Sequence, residues 1–145
     1  MSLSESRCVL VVAAHPDDEV LGCGGTIARH VHAGDKVKIL IVAEGATSRQ
    51  LRRNSLDASA ELSGLVRAAH SAASILGVSG IEMLGFPDNR LDTIDRLDLI
   101  KAIEASISLY QPDTVYLHHA GDVNVDHRRL HEAVVTACRP TPGHC

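Results

Sequence analysis

Four short aliphatic runs recur along the chain, separated by longer stretches in which apolar residues return at helical spacing. The first run, Cys8 to Ala14 (CVLVVAA), is continuous and rich in Val, the pattern of a strand buried on both faces. A turn follows. A helix is then predicted from about Val20 to Ala33, with Val20, Ile27, Ala28 and Val31 in register and Gly34-Asp35 as the stop. Val37 to Ala43 (VKILIVA) reads as a second buried strand. Glu44 to Ser59 is polar without a clear period and reads as a long loop, a length that in a small domain points to function or mobility. Glu61 to Leu76 is helical, Ile81 to Leu84 is a third strand, and GFPDNRLD is a loop. Ile94 to Leu109 is an amphipathic helix, Asp113 to Leu117 a fourth strand, HHAGDVNVD a loop, and His127 to Cys138 a last helix.

The order βαβαβαβα implies an α/β fold with a parallel sheet and helices on both faces. A length of 145 residues points to one domain, residues 1–145, large enough to bury its own core. In open sheets of this kind ligands sit at the carboxyl ends of the strands. That rule selects the loops after Ala14, Ala43 and Leu117.

Composition narrows the partners. Hydrophobic residues make up 45% of the chain, yet it has one Phe, two Tyr and no Trp, so the core is aliphatic and ligand stacking on aromatic rings is not expected. The net charge is −4 and the one basic cluster, Arg49, Arg52 and Arg53, reads as a solvated face, so nucleic acid is not expected as a partner. No stretch is long and apolar enough to span a membrane, and MSLSESR lacks the features of a signal peptide, which gives a cytoplasmic location by default. The four cysteines form no CxxC pair; Cys8 and Cys138 are expected to be small buried apolar residues.

The chemistry lies in two of the selected loops. The first reads His15-Pro16-Asp17-Asp18-Glu19; the last runs from His118-His119 to Asp126-His127. If the first and fourth strands are neighbours, the two sets converge. His15, Asp18 and His127 then offer two imidazoles and a carboxylate, a donor set that suits zinc and leaves a fourth position open. Asp17 becomes the candidate general base, and Asp126 a candidate to fix an imidazole tautomer through its ring N–H. The acids could also be ordinary helix-start residues favoured by the helix dipole. His30, His32, His70, His131 and His144 are expected to be solvent-facing or otherwise satisfied. Gly22, Gly24 and Gly25 follow a strand and enter a helix, but they lack GxGxxG spacing, and acids stand where a pyrophosphate would bind; a nucleotide loop is disfavoured, and close approach of the helix to the sheet is the expected use of these small residues.

AAHPDDEVLGCGGTIARH resembles the signature of the PIG-L/LmbE-like N-deacetylases, NVDHRRLHEAV their second motif, and LGFPDNRLD a loop between them. The resemblance covers Cys8 to Cys138. It implies a Rossmann-like three-layer α/β/α fold with strand order 3-2-1-4, and hydrolysis of an N-acetyl group on an N-acetylglucosamine-type amino sugar or its conjugate. By position it implies His15, Asp18 and His127 as zinc (Zn2+) ligands, Asp17 as the base, Asp126 as the acid before the last ligand, and Asp88 as a contact to substrate hydroxyls. His/Asp sites also accept Fe2+. Many members read His-Pro-Asp-His in the second motif; here the first of these positions is Asn124, which can donate a hydrogen bond to substrate but cannot act as an acid. His118 or His119 is the candidate replacement, with His119 assigned the catalytic role. The family's sheet usually continues beyond this sequence, so the C-terminal part of longer relatives is expected to be lacking. A non-catalytic metal- or sugar-binding form is therefore the alternative reading. An uncovered fourth strand would favour a homo-oligomer.

Overall fold

The computed structural model of the protein describes residues 6–140; His144 and Cys145 lie outside them. The elements follow the predicted alternation: β1 (Cys8–Ala13), α1 (Asp18–His32), β2 (Lys36–Ala43), α2 (Ser59–Leu76), β3 (Gly80–Phe86), α3 (Arg96–Tyr110), β4 (Thr114–Tyr116) and α4 (Val125–Ala137). The four strands form one parallel sheet in the order β3-β2-β1-β4. The central strands are apolar at nearly every position because both faces are covered. Leu10, Val12, Leu40 and Val42 pack with Leu99, Ile100 and Ile103 of α3 and Leu130, Ala133 and Val134 of α4. Their alternates Val9, Val11, Val37, Ile39 and Ile41 pack with Ile27 of α1 and Ala69 and Ala73 of α2. The result is a three-layer α/β/α arrangement.

Local chemistry moves several boundaries. α3 begins at Arg96 rather than Ile94, because Asp95 caps it by accepting the Leu97 N–H and a 3-10 turn, Leu91–Thr93, occupies the preceding residues. α4 begins two residues earlier than expected, at Val125, with the Asn124 side chain as its cap. The fourth strand shrinks to Thr114–Tyr116, pairs with β1 alone among the described residues, and leaves its outer edge beside a groove lined by Ile107, Val115, Leu117, Val134, Val135 and Cys138. No described helix is long and apolar enough to cross a membrane.

Two expectations are corrected. The glycines of α1 do not bring the helix onto the sheet: a Cβ at Gly22 or Gly25 would meet open space, and one at Gly24 only Val20 of the same helix. They flank instead a kink at Cys23, where the backbone leaves helical geometry. Nor are Cys8 and Cys138 buried. Cys8 is half-buried, and Cys138 is exposed at the end of α4.

Gly45, just after β2, is the glycine the fold does require. Its φ is +81°, and an added Cβ would lie 2.6 Å from Pro16 Cδ, in the loop after β1. Left-handed backbone costs a residue with a side chain about 1–2 kcal/mol, and the clash adds a similar amount. Gly45→Ala is therefore expected to destabilise the protein by about 2–4 kcal/mol in denaturant unfolding. A loss below about 0.5 kcal/mol, the usual range for harmless surface changes, would show that the two loops are not pressed together.

Candidate metal centre

β1 and β4 are adjacent in the sheet, so the loops after them open side by side at its carboxyl end. β1 runs into His15, and α1 starts at Asp18, whose carboxylate turns back to accept the His15 backbone N–H at 2.9 Å. Glu19, buried at the same helix start, accepts the Asp17 N–H at 3.1 Å and fixes the backbone between the two. From the other loop, α4 presents His127 in its first turn.

These side chains converge. Asp18 Oδ2 lies 3.2 Å from His15 Nδ1 and 3.1 Å from His127 Nε2. Donor atoms of His15, Asp18 and His127 all fall within 4.8 Å of one another. His127 Nε2 is buried and has no hydrogen-bond partner, although Asp18 Oδ2 is so close; the contact does not have hydrogen-bond geometry. A buried polar atom left in that state costs about 1–3 kcal/mol unless something else satisfies it. A cation between the nitrogen and the carboxylate does so, and the donor set of two imidazoles and one carboxylate is the one a zinc-type ion takes.

The carboxylates around His15 show the same demand for positive charge. His15 Nε2 lies 3.1 Å from Asp126 Oδ2 and 3.3 Å from Asp88 Oδ1. Burial disfavours a charged His15, but the hydrogen bonds to Asp126 and Asp18 outweigh it and carry its pKa up to about 10. Burial alone would likewise raise Asp18, yet the bonds from the His15 ring and backbone hold it below the usual carboxylate range. Without metal, a proton on His15 supplies the positive charge that these acids surround.

The remaining candidates separate by position. Asp126 is fully buried and receives the N–H groups of Asn89 (2.7 Å) and Leu91 (3.0 Å) besides His15 Nε2, so the imidazole it holds is that of the first motif. Asp88, expected to reach substrate, is only 3% exposed; its oxygens are taken by the Ser48 N–H, the Asn89 side-chain amide and the His15 ring. It ties the loop after β2 to His15. Asn124 spends its carbonyl oxygen on the Asp126 N–H, as cap of α4, and its amide nitrogen makes no bond among the described residues. Asp17 is exposed, and its carboxylate likewise makes no hydrogen bond among them.

His119 does not join the cluster. It is exposed, and its Nδ1 accepts the Gly121 N–H of its own loop at 3.0 Å. His118 joins the cluster instead. Its Nε2 accepts the Ala14 N–H at 2.9 Å and lies 3.6 Å from Asp18, and its ring stacks on His127 with centroids 3.8 Å apart. Burial, then repulsion from His127, lowers its pKa, which favours the neutral ring. The signal in the sequence is partial: Tyr116, the last residue of β4, packs on the α1 face, and His118 stands two residues on, past the strand end. His118 and His127 also form a second possible donor group with Asp122, but stacked rings cannot both aim in-plane lone pairs at one ion.

Asp122 was not legible as a site residue. Its Oδ2 lies 3.0 Å from His127 Nδ1, and its Oδ1 accepts the Asn124 N–H at 2.9 Å. The available signal was the Asp-x-Asn turn, which folds the carboxylate forward along the loop. Of the other histidines, His30 is held by Asp35 and Tyr116, His131 lies against the His118 carbonyl, and His32 and His70 are exposed.

The sequence and the fold both have counterparts among known proteins. A probable N-acetyl-α-D-glucosaminyl L-malate deacetylase 2 of Bacillus cereus is 33% identical over 94% of this chain and 63% of its own length. The 4-carboxy-2-hydroxymuconate hydratase GalB of Pseudomonas putida superposes with a TM-score of 0.75 at 27% identity, over 90% of this chain and 55% of that one. The N,N'-diacetylchitobiose deacetylase of Pyrococcus horikoshii superposes with a TM-score of 0.69 at 25% identity, over 93% and 50%. The chain thus spans about half to two-thirds of the length of these proteins. The profile of the GlcNAc-PI de-N-acetylase family, PIG-L, matches residues 10–138, and the chain belongs to that family.

Proposed function

We propose that the chain carries the centre of a metal-dependent hydrolase that removes the N-acetyl group from an N-acetylglucosamine-type amino sugar or its conjugate. The observation that carries this reading is the convergence of His15, Asp18 and His127, with the buried, unpartnered Nε2 of His127 facing the Asp18 carboxylate. Zinc is the ion the donor set favours, with Fe2+ as the second candidate. When bound, such an ion polarises an amide carbonyl and lowers the pKa of the attacking water.

The protein's own groups divide the remaining work. His15, Asp18 and His127 hold the ion, and Asp126 orients His15 from behind. Asp17, exposed beside Asp18, takes the proton from water at its carboxylate and returns it to the leaving amine. The Asn124 amide nitrogen, without a bond among the described residues, donates to the oxygen on which charge develops; it supplies a hydrogen bond where many relatives have an acid. The Bacillus and Pyrococcus relatives, named for deacetylation of glucosamine conjugates, support the choice of substrate class. The Pseudomonas hydratase shows that related proteins also add water to other acceptors, so the substrate panel must test for the acetyl group directly.

The test is acetate and free-amine release from N-acetylglucosamine linked to malate, to inositol and to a second N-acetylglucosamine. Release is expected from at least one conjugate, abolished by chelator and restored by zinc. Protein that holds stoichiometric zinc yet releases no acetate across the panel would sink the deacetylase reading and leave a metal-binding module.

A further inference from the structure

We propose that Asp122 is a positioning residue that sets the tautomer of His127 and thereby makes the cluster competent to take a metal; the inference rests on the metal reading of His15, Asp18 and His127. His127 can offer Nε2 to an ion only if its proton sits on Nδ1. Asp122 imposes this. Its Oδ1 is fixed by the Asn124 backbone N–H at 2.9 Å, which leaves Oδ2 against His127 Nδ1 at 3.0 Å. An aspartate carboxylate has no proton to give, so the ring nitrogen facing it must be the donor. The lone pair is thereby placed on Nε2, the buried atom without a partner, whose 3.1 Å approach to Asp18 Oδ2 lacks the geometry of a hydrogen bond and so does not claim the proton.

The surroundings stop the ring from escaping this choice. His118 stacks on one face at 3.8 Å, with the planes 19° apart, and is itself pinned by the Ala14 N–H. Arg128 Nη1 donates to the carbonyls of Asp122 and Val123, holding the loop that carries the carboxylate. His127 is thus braced across its face by one residue and oriented in its plane by another. Partners of this kind set the tautomer and basicity of metal-binding histidines.

Asparagine at this position makes the idea decisive. The Asn124 N–H is a fixed donor and will claim the single acceptor oxygen of the amide. The amide nitrogen then faces His127 Nδ1 and donates to it, which drives the ring proton onto Nε2, between the ring and Asp18. Alanine removes the carboxylate without supplying an opposing donor. Asp122→Asn is therefore expected to bind zinc about 10–100-fold more weakly than wild type, and more weakly than Asp122→Ala. A residue that merely held the loop would give the reverse order, because asparagine keeps the bond from Asn124 and alanine does not.

The experiment is zinc affinity by competition with a chromophoric chelator for wild type, Asp122→Asn and Asp122→Ala, together with the ring 15N shifts of His127 in the metal-free proteins. The expected result is an Nδ1–H ring in wild type, an Nε2–H ring in Asp122→Asn, and the affinity order just given. Zinc binding by Asp122→Asn within twofold of wild type, an unchanged tautomer, or a more damaging alanine would each overturn the inference. Wild type that takes up no zinc would instead overturn the metal reading, and the ring shifts of the metal-free proteins would still decide the role of Asp122.

Discussion

Asp18→Ala is expected to lose zinc binding at micromolar metal and, with it, all measurable turnover. Asp18 Oδ2 is the atom on which the cluster centres: three imidazole nitrogens lie within 3.6 Å of it, from His15 (3.2 Å), His127 (3.1 Å) and His118 (3.6 Å). Removing it leaves two neutral donors and takes the only carboxylate out of the donor set. Loss of a mere supporting partner weakens a metal site by about 10–100-fold, so loss of a direct charged ligand should exceed the upper end of that range. The same oxygen also accepts the His15 backbone N–H, and alanine removes that bond too. Asp18→Asn separates the two effects, because an amide oxygen can still accept the N–H while the negative charge is gone. Both variants should show depleted zinc by elemental analysis, and Asp18→Asn should keep the wild-type circular dichroism. Full zinc occupancy in a folded Asp18→Asn would mean that the Asp18 charge does not hold the ion.

The fold and the site were not equally legible in the sequence. Strand and helix order followed directly from period, because the central strands are buried on both faces and therefore read as unbroken aliphatic runs; Val9 to Ala14 and Ile39 to Ala43 are all nearly inaccessible. The convergence of His15, Asp18 and His127 was legible because topology places the ends of β1 and β4 together. What escaped was decided by side-chain direction and local turns. His118 and His119 are adjacent in sequence, past the end of β4, and nothing in their neighbours shows that one turns to the cluster and the other to the loop surface. Asp88 looked like a free loop acid because nothing in its neighbours shows that the Ser48 N–H, from a loop forty residues earlier, would claim it. The glycines after β1 suggested close packing, but a Cβ at Gly22 or Gly25 would meet open space, and the helix kinks among them at Cys23.

Asp17→Asn should have the opposite character to the Asp18 variants: metal intact, turnover gone. Asp17 stands at the start of α1, where its carbonyl accepts the N–H groups of Val20 and Leu21 and its own N–H is held by Glu19. The backbone is thus fixed while the carboxylate, exposed and without a hydrogen bond among the described residues, is left available to solvent and substrate. That is the state expected of a base that must receive a proton from water, and it contrasts with Asp88 and Asp126, whose oxygens are all engaged by neighbouring groups, and with Asp18, whose Oδ2 accepts the His15 N–H. Asparagine preserves shape and removes basicity. The expected outcome is wild-type zinc content, a KM within a few-fold of wild type, and kcat lower by about 10²–10⁴, the range a positioned acid–base group supplies. Steady-state kinetics of acetate release on zinc-loaded protein, with metal content measured on the same sample, make the comparison. If Asp17→Asn turns over at wild-type rate, the proton must leave through another group; if it loses its zinc, Asp17 belongs to the metal-holding set rather than to proton transfer.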